Sequence, residues 1–339
     1  MAYQNIGTPR FYINIVEWLN ATGAKKLPDD VLYNNILAKS EGLLTLPVSP
    51  QPAYSWYFNG GVHGMTENGF IAFLGHRMKS VDTYFSFYAL NGVPIPFNEL
   101  IVNCELDGPY AIRANYDGFT IATFEGTVDI QNFYLLNDTY DLIGSTILGS
   151  YYDMPNAPNL SLTMSRDYGK TNEITTHNGS SISNNMWNKP PMWGDLGAWE
   201  LEGSATQELS RGGRRSWDLK FSYMDDGDLW GANQSLSKTI ITSTDIEAGD
   251  INTGYPDFND NILTDDNFFS QVWHKTLGGT LPFIFQPDAP VLNETTGEYE
   301  GGNNNPDQFA ICRFVDNSLK ATQSAFNVYD ISLSIEEAW

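Results

Sequence analysis

From Trp217 to Tyr223 the sequence runs Trp-Asp-Leu-Lys-Phe-Ser-Tyr. In an extended chain Trp217, Leu219, Phe221 and Tyr223 fall on one side, and Asp218, Lys220 and Ser222 fall on the other. A period of two over seven residues fits a strand and no helix, and it predicts one face in a core and one in water. The final segment repeats the pattern, with Tyr329, Ile331, Leu333 and Ile335 on one side of a strand expected over Phe326 to Ile335.

Shorter runs of the same kind fill the first half: Tyr54 to Phe58, Phe70 to Leu74, Tyr84 to Leu90, Leu100 to Leu106, Phe119 to Phe124 and Val128 to Leu136. Asn59-Gly60-Gly61, Asn91-Gly92, Asp107-Gly108 and Asp117-Gly118 separate them, and these are turn-forming pairs. Leu281 to Phe285 and Phe309 to Phe314 extend the series. The fold class predicted is therefore mainly β, with sandwich or barrel-like domains. Two helices are expected. A short one covers Val31, Leu32, Ile36 and Leu37 behind Asp29 or Asp30. A longer one spans Asp266 to Leu277, with Phe268, Phe269, Val272, Trp273, Thr276 and Leu277 at helical spacing, Asp265 and Asp266 at its positive end, and Gly278-Gly279 as its stop.

At 339 residues the chain exceeds the usual size of one core. Met154-Pro155-Asn156-Ala157-Pro158 is the expected boundary, just before a strand carrying Leu160, Leu162 and Met164. It divides the chain into an N-terminal β-rich domain, 1–155, and a C-terminal β-sandwich with its helix, 156–339. Asn172 to Asn188, Ser235 to Asn261 and Asn293 to Pro306 show poor periodicity and are expected to be long loops, of the kind that clasp partners.

The net charge is −23, from 41 acidic and 18 basic residues. That opposes a grip on the phosphate backbone, so no specific nucleic-acid binding is expected, while an assembled channel lined this way would let DNA pass. Met1 to Asn5 carry no basic start, and Asn14 and Glu17 interrupt the nearest apolar run. Neither a signal peptide nor a membrane span is expected, and synthesis is placed in a cytosol. Cys104 and Cys312 sit singly in apolar runs and read as two core thiols.

No nucleophile elbow, Walker loop, dinucleotide fingerprint or paired-histidine zinc motif occurs, so no catalytic residue, cofactor or metal ligand is predicted and no enzyme activity is expected. His63, His76, His177 and His274 are scattered, and His274 is expected on a helix surface. Asp225-Asp226-Gly227-Asp228, and Asp257, Asp260, Asp265 and Asp266, lack calcium-loop spacing. They read as turn and cap residues, with a structural cation as the alternative. Trp193 and Trp199, in Pro190 to Gly194 and Gly197 to Leu201, are candidates for core or interface anchors or for a sugar-stacking platform. The basic cluster Arg211, Arg214 and Arg215 is a candidate interface for a neighbouring subunit's carboxylates, or for phosphate.

Four stretches carry a family likeness: Ser165 to Lys170 leading to Asn178-Gly179-Ser180-Ser181; Trp193-Gly194-Asp195 through Trp199; Arg214 to Tyr223; and Trp273 to Gly279 with Leu281 to Asp288. Together with Asn327 to Leu333 they resemble virion structural proteins of tailed bacteriophages over residues 158–339. The resemblance implies a tail or baseplate component, like the distal-tail and tail-tube modules with a β-sandwich and a flanking helix. It implies partners in other copies of the chain and in neighbouring virion proteins, and a location in the virion after synthesis in the bacterial cytoplasm. A carbohydrate-binding or glycan-cleaving virion module, and a capsid decoration or head-tail connector protein, are the alternatives.

Overall fold

The computed structural model describes residues 6–22, 44–45, 55–57, 68–75, 83–89, 104, 112–113, 116, 118–125, 130–137, 142–143, 145–187, 192–193, 196–197, 213–231, 262, 265–293, 295–296 and 298–338. The expected helix over residues 31–37, the run Leu100 to Leu106 apart from Cys104, and Ser235 to Asn261 lie outside them. The fold is mainly β, built around one large antiparallel sheet. Its strands are β1 (Arg10–Asn14), β2 (Asn68–Leu74), β3 (Phe119–Glu125), β4 (Ser145–Asp153), β5 (Thr163–Asp167), β6 (Arg214–Asp225), β7 (Phe283–Gln286), β8 (Ala310–Phe314), β9 (Ala321–Ala325) and β10 (Val328–Glu337). Their order is β5-β6-β10-β8-β7-β1-β4-β2-β3, with β9 also on β10. The sheet crosses the expected boundary at residue 155 without a break, because β1 pairs with β4 on one side and with β7 on the other. A separate four-stranded sheet joins Ser55–Tyr57, Ile130–Asn137, Thr83–Ala89 and Ile112–Arg113.

In the middle of the large sheet both faces are covered, so β1, β2 and β7 read as short continuous apolar runs and not as alternations. Phe11, Ile13, Phe283, Phe285 and Phe314 enter one core with Phe268, Val272 and Trp273. Tyr12, Phe70, Ile121, Ile147, Ile284 and Ile311 enter the other. Phe11 lies 5.3 to 6.0 Å, centroid to centroid, from four phenylalanine rings, Phe268, Phe283, Phe285 and Phe314. Aromatic pairs at this range add about 0.5–1.5 kcal/mol each beyond the area they bury. Towards β6 and β10 the second face opens to water, and the alternation legible in the sequence returns.

The chain leaves β1 directly into helix α1 (Ile15–Ala21). Asn14 Oδ1 accepts the Glu17 backbone N–H at 3.1 Å, which makes Asn14 the cap of that helix. Gly149 of β4 lies beneath this corner, where a Cβ would stand 1.7 Å from the Ile13 carbonyl oxygen; only glycine fits so close to backbone.

The expected helix over Asp266 to Leu277 is instead a wide π-helical turn, Phe269–Trp273. His274 N–H donates to Phe269 O at 2.7 Å and Gly278 N–H to Trp273 O at 2.9 Å, both five residues back. At its start Asn267 Oδ1 accepts the Ser270 N–H at 2.8 Å. Ser270, Gln271, Val272, Trp273, Lys275 and Thr276 are all buried, so the element has no wet face of the kind an amphipathic helix shows. Leu277, Gly278 and Gly279 take positive φ in succession and end it where the two glycines predict.

Two further expectations are corrected. Leu160 and Leu162 precede the strand that was expected to carry them, because Asn159 N–H donates to Lys220 O at 2.7 Å and Asn156 Nδ2 to Ser222 O at 3.2 Å. These bonds sew residues 156–159 onto β6, and pairing begins only at Thr163. Tyr223 is not on the core side of β6. The β6–β10 register slips between Phe221 and Met224, Tyr223 adopts φ 63° and is 82% exposed, and Met224 takes the buried place. A tyrosine held at this φ costs about 1–2 kcal/mol. Tyr223→Gly is accordingly expected to raise stability by roughly 1 kcal/mol in urea denaturation, since little packing is lost with an exposed ring.

Candidate assembly surface

The strand pair β5–β6 positions the surface. Thr163 lies opposite Asp218, Met164 opposite Trp217, Arg166 opposite Arg215 and Asp167 opposite Arg214. Every residue of β5 is exposed. Among the described residues no strand pairs with its outer edge. Past β5 the chain turns at Gly169, whose N–H is bound by Asp167 Oδ1 at 2.9 Å, and enters a hairpin made of Gly169–Thr175 and Ser181–Trp187.

This hairpin replaces most of the loop expected over Asn172 to Asn188. Seven residue pairs run from Gly169 opposite Trp187 to Thr175 opposite Ser181. Thr176 N–H donates to Ser180 O at 2.8 Å and Gly179 N–H to Thr176 O at 2.9 Å, closing the turn around Asn178-Gly179. Ser181 Oγ donates to Glu173 Oε1 at 2.9 Å across the strands. On one face Ile174 stands opposite Ile182, and the two are 67% and 60% exposed. A two-stranded hairpin is marginal by itself in water. This one leaves its largest apolar pair to solvent.

At the far end of β6 lies a second exposed patch. Tyr223 projects from the bulge, its N–H 3.3 Å from Asp330 Oδ1. Phe326 stands at the β9–β10 turn, 87% exposed, beside Asn327 at φ 57°. Asp226 N–H donates to Asn327 O at 2.9 Å and joins the two turns. Asp225 and Asp226 follow Tyr223 in the chain and Asp228 lies in the short helix Asp226–Leu229; burial, with Asp225 nearby, raises the Asp228 carboxyl above the usual range.

Of the residues singled out in the sequence, Arg215 is bound within the chain. Its Nε donates to Glu337 Oε1 at 2.8 Å and its Nη2 to Phe309 O at 2.7 Å, Nη1 reaches Asp307 O, and the guanidinium stands 5.5 Å from the Trp217 ring. Arg214 is half-buried at the foot of the hairpin. Trp193 belongs to a two-residue strand, Met192–Trp193, paired with Leu196–Gly197. Arg211 and Trp199 lie outside the described residues. His274 is half-buried, with ring contacts to Trp18 at 5.9 Å and Phe269 at 6.5 Å in place of the expected surface position. Cys312 is fully buried, which pushes its thiol well up, and half-buried Cys104 places Sγ 3.5 Å from Ile121 O. Ile174, Ile182 and Phe326 are the surface residues that the sequence reading passed over, and Asn178-Gly179 was the signal for the hairpin.

Among the described residues no group of three His, Cys, Asp or Glu could hold a metal ion, and no helix is long and apolar enough to cross a membrane. The chain matches no family model, no curated protein and no solved structure.

Proposed function

We propose that this chain is a structural component of a tailed-phage virion, in the tail or baseplate, and that it works by assembling into a symmetric ring with copies of itself and neighbouring virion proteins. Its action is geometric and not catalytic. It is made in the bacterial cytoplasm and ends in the particle. The likeness of residues 158–339 to tailed-phage virion proteins supplies the class.

One observation carries the assembly role. Of ten exposed large apolar side chains among the described residues, five lie between residues 160 and 182: Leu160, Met164, Tyr168, Ile174 and Ile182. Such concentration in one stretch of chain, around the exposed strand β5 and the hairpin after it, supports an interaction surface there. With −23 charges per chain, copies repel at long range, so association requires a local apolar contact of this kind.

Replacing both Ile174 and Ile182 with threonine, which keeps the β-branch and adds no facing charges, is expected to abolish self-association in light scattering, while stability changes by less than about 0.5 kcal/mol because both side chains are exposed. Wild-type protein that stayed monomeric at high concentration, and that had no counterpart in purified particles by mass spectrometry, would overturn the proposal.

A further inference from the structure

We infer that copies of this chain join head to tail, the Ile174/Ile182 face of the hairpin in one copy seating on the Tyr223/Phe326 end of the next. This rests on the assembly reading and names the two surfaces that meet.

The two patches stand at opposite ends of one strand. Asp167, at the foot of the hairpin, pairs with Arg214, and Tyr223 lies nine residues along β6, about 30 Å at 3.3 Å per residue. Both patches are left exposed within one chain, one on the hairpin that follows β5 and one at the far end of β6. Between copies they make a heterologous contact, which generates rings when the rotation closes.

Charge sets the direction. Residues 222–230 and 322–330 contain Asp225, Asp226, Asp228 and Asp330 and no Lys or Arg, the nearest cations in sequence being Lys220 and Lys320. Two such ends brought together would repel. The hairpin end brings Arg166, Lys170, Arg214 and Arg215, matched one for one by Asp167, Glu173, Glu336 and Glu337, with Arg215 bound to Glu337. A balanced end accepts an acidic one, whereas acidic meets acidic only at a cost.

Backbone conformation agrees. Simple alternation would bury Tyr223 beside Phe221, yet a bulge at positive φ turns it outward. Strain kept in order to expose an aromatic ring is spent on something outside the chain.

The test uses full-length chains carrying Cys104→Ser, one with Ile182→Cys and one with Phe326→Cys and a size tag, mixed under mild oxidation. Both positions are exposed, so folding is not at issue. The mixed disulfide dimer is expected at least about tenfold faster than either like pair, because docking raises the local concentration of the two thiols. In parallel, Arg166→Glu/Lys170→Glu chains are expected to associate about tenfold more weakly alone, because an acidic end then meets an acidic end, and to recover when mixed with Asp225→Arg/Asp226→Arg chains, whose basic end is complementary. Wild-type protein that assembles in light scattering while Ile182→Cys pairs with itself, or with no mixed preference and no recovery, would overturn the head-to-tail contact and leave the assembly reading standing. Monomeric wild-type protein would remove both.

Discussion

Replacing Arg10 with alanine is expected to destabilise the protein by about 3–4 kcal/mol, through the cavity left by a buried side chain and the loss of its charge-assisted hydrogen bonds, while Asp153, 36% exposed, rehydrates. Arg10 is 2% exposed at the end of β1, opposite Asp153 of β4 and Gln286 of β7. Its Nε and Nη2 donate to the two Asp153 carboxylate oxygens at 2.6 and 2.7 Å, and Nη2 reaches Pro290 O at 3.3 Å. The guanidinium lies 4.2 Å from the Tyr151 ring centroid. Burial alone would lower its pKa, but the fields of Tyr12, Asp153 and Tyr151 outweigh burial and hold it charged. Beside it Tyr12 Oη donates to Gln286 Oε1 at 2.8 Å, and Gln286 Nε2 donates to Asn303 O and Asn304 Oδ1 at 3.0 and 2.9 Å. Tyr116 Oη donates to the Asn304 carbonyl, and burial raises the pKa of Tyr12. Arg10 and Gln286 together therefore tie β1, β4 and β7 to Pro290 and to the 303–304 loop. Arg10→Met keeps the apolar stem and should lose less, about 2–3 kcal/mol, the difference being the cavity. Urea denaturation of both variants reads the effect. A loss below about 1 kcal/mol for the alanine variant would show that the pair contributes no more than an exposed one.

The parts of this fold legible in the sequence are those where one face of a strand is wet. β6 and β10 announce themselves through Trp217, Leu219, Phe221 and Ile331, Leu333, Ile335, because water on the other face demands Asp218, Lys220 and Ser332. The central strand β1 gave no such signal. Arg10-Phe11-Tyr12-Ile13-Asn14 is buried throughout, its two polar ends being used by Asp153 and by the cap of α1. Asn14 and Glu17, which seem only to interrupt an apolar run, are three residues apart at a helix start, a spacing with a capping meaning. The hairpin was hidden for the opposite reason. Its described side chains from 171 to 175 and 181 to 184 are exposed, so Thr, Asn and Ser dominate there and a single isoleucine per strand carries no period. Tyr223 could not be placed from sequence at all, since nothing in Phe-Ser-Tyr-Met marks a bulge that depends on the register of β10. The basic cluster stands out on so acidic a chain, but the sequence could not tell that Arg215 reaches Glu337, 122 residues away.

Lys275→Met is expected to stabilise the protein near neutral pH, by a margin that shrinks as pH rises. Lys275 is 1% exposed behind the π-helical turn, its Nζ donating to Gln271 Oε1 at 2.6 Å while Gln271 Nε2 donates to Asp265 O at 2.6 Å. Burial brings its pKa down to about 7 from 10.5, although the field of Asp266 acts to raise it. Half-buried His274, next in sequence, is lowered by the same burial and by Lys275. Between about pH 7 and 10.5 the unfolded chain binds a proton at this lysine that the folded chain does not, so stability must rise with pH across that window. Below it the buried ammonium is charged in both states and its whole desolvation cost is present, on the order of 4 kcal/mol for a shift this large. Methionine fills similar volume without a charge, so at pH 6 the variant should exceed wild type by several kcal/mol in urea denaturation. Near pH 10 the wild-type lysine is neutral and still bonded to Gln271. There the variant forfeits about 1 kcal/mol by leaving that oxygen without its donor, and the order of the two proteins reverses. A constant difference between wild type and variant from pH 6 to 10 would mean that Lys275 keeps its charge when folded, and that the turn carrying it opens to water on a scale its burial does not allow.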